Sequence, residues 1–469
     1  MAPRTGGSRG LLRVADAEQT EPSGSVGVDP DPTRLDPAAW YLLAWALLGL
    51  AISMNNGAYL PRAIALLTAA AALTAGACWR LQQAHGQTFL DIRRAASAAA
   101  AVALVVAVVY DPGLYGTGNV LQLSRWATTG AAALALVTCL ADRWLSRVAA
   151  VAALALSTVA GGLMIRASPT PRIDVWYILT VGATKTAQGH NIYTSCWPGN
   201  TDPLTDCVYP YLPMTTVAQL PFRLLGDIRY SYIAALLLAA AALFALLGWE
   251  AAVPVALLFA SPKLTFLLEQ AWTEPLLLAA LCVMVAATVR GHQTTAILAF
   301  AFALACKQHM VLLIPLAAVW PRFGIRRTAL SVLLAGALVL AWLVPDPTAF
   351  IQDAWDFNLH LPPRADSLSF YTTAVLLGIT PHFAVVVVMT AAVIAVCAFR
   401  LPRTATGFVA GATATQFVFD LLNKQTFFNH WWLVSGLLLL TITTWLAEQR
   451  DRREQVSDGP ATRVLLRSP

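Results

Sequence analysis

Apolar runs of about 15 to 20 residues, rich in Ala, Leu and Val, alternate along the chain with short intervals marked by Arg, Pro and Gly. A run of that length suits a helix crossing a bilayer, because backbone groups in lipid must bond within their own segment. The pattern predicts spans at about 40–54, 62–78, 95–110, 126–140, 148–165, 230–247, 253–266, 271–289, 294–306, 310–320, 328–344, 383–399, 407–421 and 432–446. The fold class expected is therefore an all-α polytopic membrane protein with about 14 transmembrane helices.

One interval breaks the rhythm. Residues 166–229 are polar and punctuated by Pro and Gly, yet they carry Trp176, Tyr177, Tyr193, Trp197, Tyr209 and Tyr211, enough aromatic surface to pack. Within it, 174–186 places Ile173, Tyr177, Val181 and Thr184 at helical spacing. The stretch 212–225 is apolar enough to span but contains Pro213, Pro221 and Arg223, and reads as an amphipathic helix at the interface. Were it a span, every downstream loop would change sides.

Charge then orients the chain. Arg80, Arg93, Arg94, Arg143, Arg147, Arg290, Arg322, Arg326, Arg327, Arg400 and Arg403 fall in alternate connections, whereas NNGAYLP and YDPGLYGTGNVLQLS are nearly free of basic residues. The positive-inside bias puts both termini in the cytoplasm and the long loop outside. Residues 1–37 read as a disordered cytoplasmic tail without a cleavable signal peptide, and 448–469 as a basic cytoplasmic tail.

Composition excludes a soluble chain. Of 469 residues, 58% are hydrophobic and 12% charged, and mean hydropathy is +0.63; a soluble domain is about a quarter charged. The net charge of +6 belongs to the loop arginines and implies no nucleic-acid partner. Five of seven cysteines sit in apolar runs, while Cys196 and Cys207 lie in the outer loop, where a disulfide and two free thiols are both open readings.

With that topology, one face collects Asp174, Tyr193, Tyr209, Tyr211, Glu269, Gln270, Glu274, Lys307, Gln308, His309, His360, Arg364, Asn423, Lys424, Gln425, Asn429 and His430. Ionisable groups at span ends need polar partners or a watery cavity, so a shared cleft is the economical reading. Blander roles compete: Glu269 and Glu274 as partners of helix dipoles, Lys307 and Lys424 as snorkelling cations, Trp431 and Trp432 as an interfacial belt. Asp174 is harder to explain that way, because Ile173, Val175 and Trp176 surround it with apolar groups that raise its basicity. Phosphate-loop, dinucleotide and zinc motifs are absent, and His309, His360 and His430 come from separate loops, so no metal or other cofactor is assigned.

Three segments carry a family resemblance. DVWYILTVGATKTAQGHNIY, with Asp174 just after a span, is followed by YPYLP, an interfacial helix and LLGDIR, and later by ALACKQHMVLLIPLA, with Lys307 ahead of an apolar Leu-Pro stretch. Their order resembles the GT-C class of integral membrane glycosyltransferases, in particular actinobacterial polyprenol-phosphate-mannose-dependent mannosyltransferases. The resemblance covers 148–447 as a catalytic unit and leaves 38–147 as additional N-terminal helices. It implies transfer of a sugar, mannose first and arabinofuranose second, from a polyprenyl-phosphate donor to a glycolipid or polysaccharide acceptor at the outer leaflet of the plasma membrane. Asp174 would be the general base of an inverting displacement, with Lys307, His309, Arg364 and Lys424 on the donor phosphate. Trp176, Tyr193, Tyr209, Tyr211, Glu269, Glu274, Gln308, His360, Gln425 and His430 would bind sugar or acceptor. The competing reading is a multi-pass transporter or flippase of a lipid-linked sugar.

Overall fold

The computed structural model describes residues 36–81 and 89–457, and all regular structure among them is helical. The two expected tails lie outside the described residues except at their inner ends. Asp36 caps the first helix, and the last helix continues through Arg450, Arg452 and Arg453 to Ser457.

The first five helices are α1 (Pro37–Ser53), α2 (Pro61–Arg80), α3 (Phe89–Val109), α4 (Gly118–Leu140) and α5 (Arg143–Ala167). α1 starts where it does because Asp36 accepts the Ala38 N–H at 2.8 Å and Pro37 needs no partner for a first-turn N–H. The long loop supplies α6 (Asp174–Ala187) and α7 (Met214–Leu224), both at the stretches the sequence marks as helical. Then come α8 (Tyr230–Leu247), α9 (Ala252–Phe259), α10 (Leu264–Glu269), α11 (Glu274–Val289), α12 (Gln293–Cys306), α13 (Ile314–Val319) and α14 (Gly324–Leu343). Short helices α15 (Pro347–Ile351), α16 (Phe357–His360) and α17 (Phe370–Leu376) precede α18 (Phe383–Arg400), α19 (Ala405–Leu422) and α20 (Phe428–Ser457).

Ten described helical stretches are long and apolar enough to cross a membrane, and three shorter apolar ones accompany them: Glu274–Val289, Gln293–Cys306 and Gln308–Val319. This is a polytopic membrane architecture. The difference from the fourteen expected spans has local causes. Lys263 and Ala271 adopt left-handed backbone at φ 56° each, and the break at Lys263 cuts the expected span 253–266 into the short pieces α9 and α10.

Helix ends separate into two groups. At one end Arg93 donates to the carbonyls of Cys139 and Ala141 at 3.1 and 2.9 Å, Arg290 to Ala245 at 2.7 Å and Arg450 to Leu247 at 3.0 Å. Arginine there satisfies helix C-terminal carbonyls that have no partner in their own helix. The other end of α20 begins at Phe428, about 30 Å from Arg450 at 1.5 Å per residue. Over that end the long loop folds on a core of its own, built from Ile178, Leu179, Tyr193, Trp197, Tyr209 and Phe350.

Candidate functional site

A cavity of about 1020 Å³ opens at this second end, and among the described residues seven chain connections line it. They are the turns after α1 and α3, the start of α6 with the loop beyond it, the junctions α10–α11 and α12–α13, the α14–α18 linker and the α19–α20 turn. Such a volume is at the upper end of the range of small-molecule sites. One wall is apolar, formed by Phe383, Val386, Val387 and Ile394 of α18.

Asp174 opens α6 and lines the cavity beside Tyr211. Burial pushes its carboxyl above the ordinary range, and the charge of Asp202 adds to this; the backbone amide of Val175 and the cation of Arg364 pull the other way. A carboxylate at the first turn also faces the positive end of its helix. Asp202 is carried to the same cavity by a loop that the Cys196–Cys207 disulfide closes, with Trp197 Nε1 donating to the Val208 carbonyl at 3.0 Å.

Cationic and imidazole groups come from later elements. Lys307 caps the end of α12 and pairs with the fully buried Glu274, which also accepts from Asn429 Nδ2 at 2.7 Å. His430 Nδ1 lies 3.0 Å from Asp420 Oδ1, and Gln416 donates to the same carboxylate at 3.0 Å. The His309 ring sits 5.6 Å from that of His430, and its buried Nε2 finds no hydrogen-bond partner among the described residues. Arg364 forks onto Asp366 at 2.9 and 2.7 Å and lies over Phe427, while Lys424 donates to the Leu359 carbonyl at 2.6 Å. Gln308 and Gln425 line the wall as well, anchored to the carbonyls of Ala354 and Pro362.

Thus the fold brings Asp174, Tyr211, Lys307, Gln308, His309, Arg364, Lys424, Gln425 and His430 to one cavity. It does not bring the remaining candidates to its wall. Tyr193 and Tyr209 are core residues of the loop, the first donating to the Tyr211 carbonyl at 2.8 Å and the second bonded to Thr216. Trp176 packs near the Arg229 guanidinium, 5.9 Å from ring to cation. His360 is exposed and turned to the Asp356 carbonyl of its own helix at 2.9 Å. Glu274 is consumed by Lys307 and Asn429, and Glu269 by backbone amides of the α3–α4 loop. Their sequence positions were right for the cavity end of the molecule, but buried donors nearby required them as acceptors.

Cavity residues that sequence reasoning missed include Asn56, Tyr115, Asp202, Asn358 and Asp366. Only Asn56 had a local signal, the Asn-Asn-Gly turn. The fold and site together define a polytopic helical membrane protein with a cavity among one set of helix ends that joins groups of both charges to a largely apolar lining. No family model matches the chain, and neither the curated proteins nor the solved structures contain a match to it.

Proposed function

We propose that the chain is a membrane glycosyltransferase of GT-C type that uses a polyprenyl-phosphate sugar. The observation that carries this reading is the shared cavity of Asp174 with His309, Arg364 and Lys424, bounded on one side by the apolar face of α18. Transfer to a hydroxyl needs a base for the incoming oxygen and cations for the leaving phosphate, and an isoprenoid chain needs an apolar wall.

In this mechanism Asp174 takes the acceptor hydroxyl proton as the oxygen bonds to the anomeric carbon. The bond from that carbon to the phosphate oxygen breaks from the opposite face, so configuration inverts. The electron pair leaves with the polyprenyl phosphate, which Lys424, Arg364 and His309 hold. Lys307 and Arg364 act within ion pairs with Glu274 and Asp366, so their charges are less available to the phosphate than that of Lys424. Mannose is the first sugar to try and arabinofuranose the second, with a glycolipid or polysaccharide acceptor. In this reading the reaction takes place at the outer face of the plasma membrane, with both termini in the cytoplasm.

The test is a reconstituted assay with polyprenyl-phosphate mannose and arabinofuranose. Wild type should transfer sugar, and Asp174→Asn should lose roughly 10²- to 10⁴-fold in rate while still binding donor. Because burial raises the Asp174 carboxyl, the acid limb of the rate profile should lie above the ordinary aspartate value of 3.8. Movement of the lipid-linked sugar between leaflets without transfer would replace this reading with the flippase one.

A further inference from the structure

The four helices ahead of α5 send two turns into the cavity, contributing Asn56, Gly57 and Ala58 from one and Leu114 and Tyr115 from the other. Both turns are gripped by buried charged side chains of the α9–α11 segment. Glu269 accepts three successive backbone N–H groups, Leu114 at 2.5 Å, Tyr115 at 2.8 Å and Gly116 at 2.8 Å. Lys263, itself in left-handed backbone, donates to the Asn56 side-chain oxygen. Two consecutive asparagines, Asn55 and Asn56, are left-handed at φ 50° and 54°, a conformation that costs energy away from glycine and persists only where surrounding contacts hold it. Tyr115 in turn donates to the Arg172 carbonyl at 2.8 Å, two residues before Asp174.

The described residues with which these turns line the cavity are uncharged, and the Lys263 ammonium behind them is engaged by the Asn56 carboxamide oxygen. The polar groups of this wall are a carboxamide whose nitrogen remains available, a phenol that can still accept, and backbone, and the carboxylates of Asp174 and Asp202 lie on the same cavity. Neutral amides, phenols and carboxylates suit the hydroxyls of an uncharged sugar and reject a phosphate. We propose that these N-terminal turns form an acceptor subsite for a neutral glycoside, with Asn56 and Tyr115 as its contacts and Glu269 and Lys263 as positioning residues. The proposal rests on the glycosyltransferase reading for the word acceptor, and on the geometry alone for glycoside binding. The additional helices are then part of the site, and substrate choice on the acceptor side is written in them.

The probe is octyl α-mannoside, tested on full-length protein in nanodiscs by direct binding and, separately, as acceptor with polyprenyl-phosphate mannose. Asn56→Ala and Tyr115→Phe should each weaken glycoside binding and raise the acceptor KM roughly three- to tenfold, with donor KM unchanged. Gly113→Ala tests the grip itself, because a Cβ there would meet the Glu269 carboxylate at 2.7–2.9 Å and displace the turn without touching a contact residue. It should reproduce the same split between acceptor and donor. Wild-type protein that binds no glycoside, or variants that raise only the donor KM, would overturn the subsite. Glycoside binding that the variants weaken, in a protein that never transfers sugar, would keep the subsite and remove the transferase reading.

Discussion

Asp353 lies beneath the long loop, buried, with its Oδ2 accepting the Tyr209 N–H at 2.8 Å. Burial pushes its carboxyl up to about 6, and the hydrogen bond from Tyr209 only partly offsets this. A raised carboxyl means the folded chain binds a proton that the unfolded chain has released, so the stabilisation is complete below the unfolded value and is lost as pH rises through the folded one. Asn resembles the protonated acid and keeps an oxygen for Tyr209. Asp353→Asn should therefore match wild type near pH 4 and melt a few degrees higher near pH 7.5 in detergent thermal scans. A lower melting temperature at pH 7.5 would show that the ionised form is stabilising. Asp174 was legible at this same scale because an acid directly after an apolar run, flanked by Ile173, Val175 and Trp176, announces its own surroundings. Trp431 was not: expected in an interfacial belt, it is fully buried and donates to the Leu368 carbonyl at 3.1 Å. A distant partner decides that assignment, and no local pattern encodes it.

Among elements, the long helices were the most readable, since lipid fixes their length and apolarity: the run 230–247 is α8, and 383–399 falls one residue short of α18. The break between α9 and α10 was not readable, because Lys263, inside the expected run 253–266, is left-handed by tertiary constraint and carries no Gly or Asn signal, whereas the break before α11 adjoins the expected gap between 266 and 271. The turn after α1 shows how such constraints interlock. Its Gly57 has φ +75°, and a Cβ there would lie 2.6 Å from the Phe428 Cβ and 2.8 Å from the Phe428 Cα at the start of α20. Backbone cannot yield as a flexible side chain does, so Gly57→Ala should destabilise the protein by about 1–3 kcal/mol. Thermal unfolding in detergent measures this, and an unchanged midpoint would mean that the turn is free to move away from α20. Phe428 also stacks on Trp272 of the cavity wall, with ring centroids 5.6 Å apart, so the same substitution disturbs the junction of α10 and α11.

At the scale of the molecule, several arginines close helix C-termini at the end remote from the cavity, while at the cavity end the buried Arg229 closes α5 through the carbonyls of Ile165 and Ser168. Arg93, Arg290 and Arg450 do so at the remote end by direct hydrogen bonds to carbonyls. Two independent forces therefore favour the same arrangement, the positive-inside bias of insertion and the demand of helix ends for donors. The cavity end carries cations as well, but Lys307 and Arg364 are paired there with Glu274 and Asp366, and so contribute little net charge to orientation. A reporter fused after Asp202, in the disulfide-closed loop, should be active only outside the cytosol, and one fused after Arg327 only inside. The disulfide supplies a second reading of the same assignment, since Cys196 and Cys207 would resist alkylation before reduction in a loop that matures in an oxidising compartment. If both fusions report one compartment, the chain crosses an odd number of times fewer or more than the alternation requires, and the cavity would face the cytosol from one of its walls. Ready labelling of both thiols without reductant, with the fusions on the sides stated, would remove the disulfide and leave the topology standing.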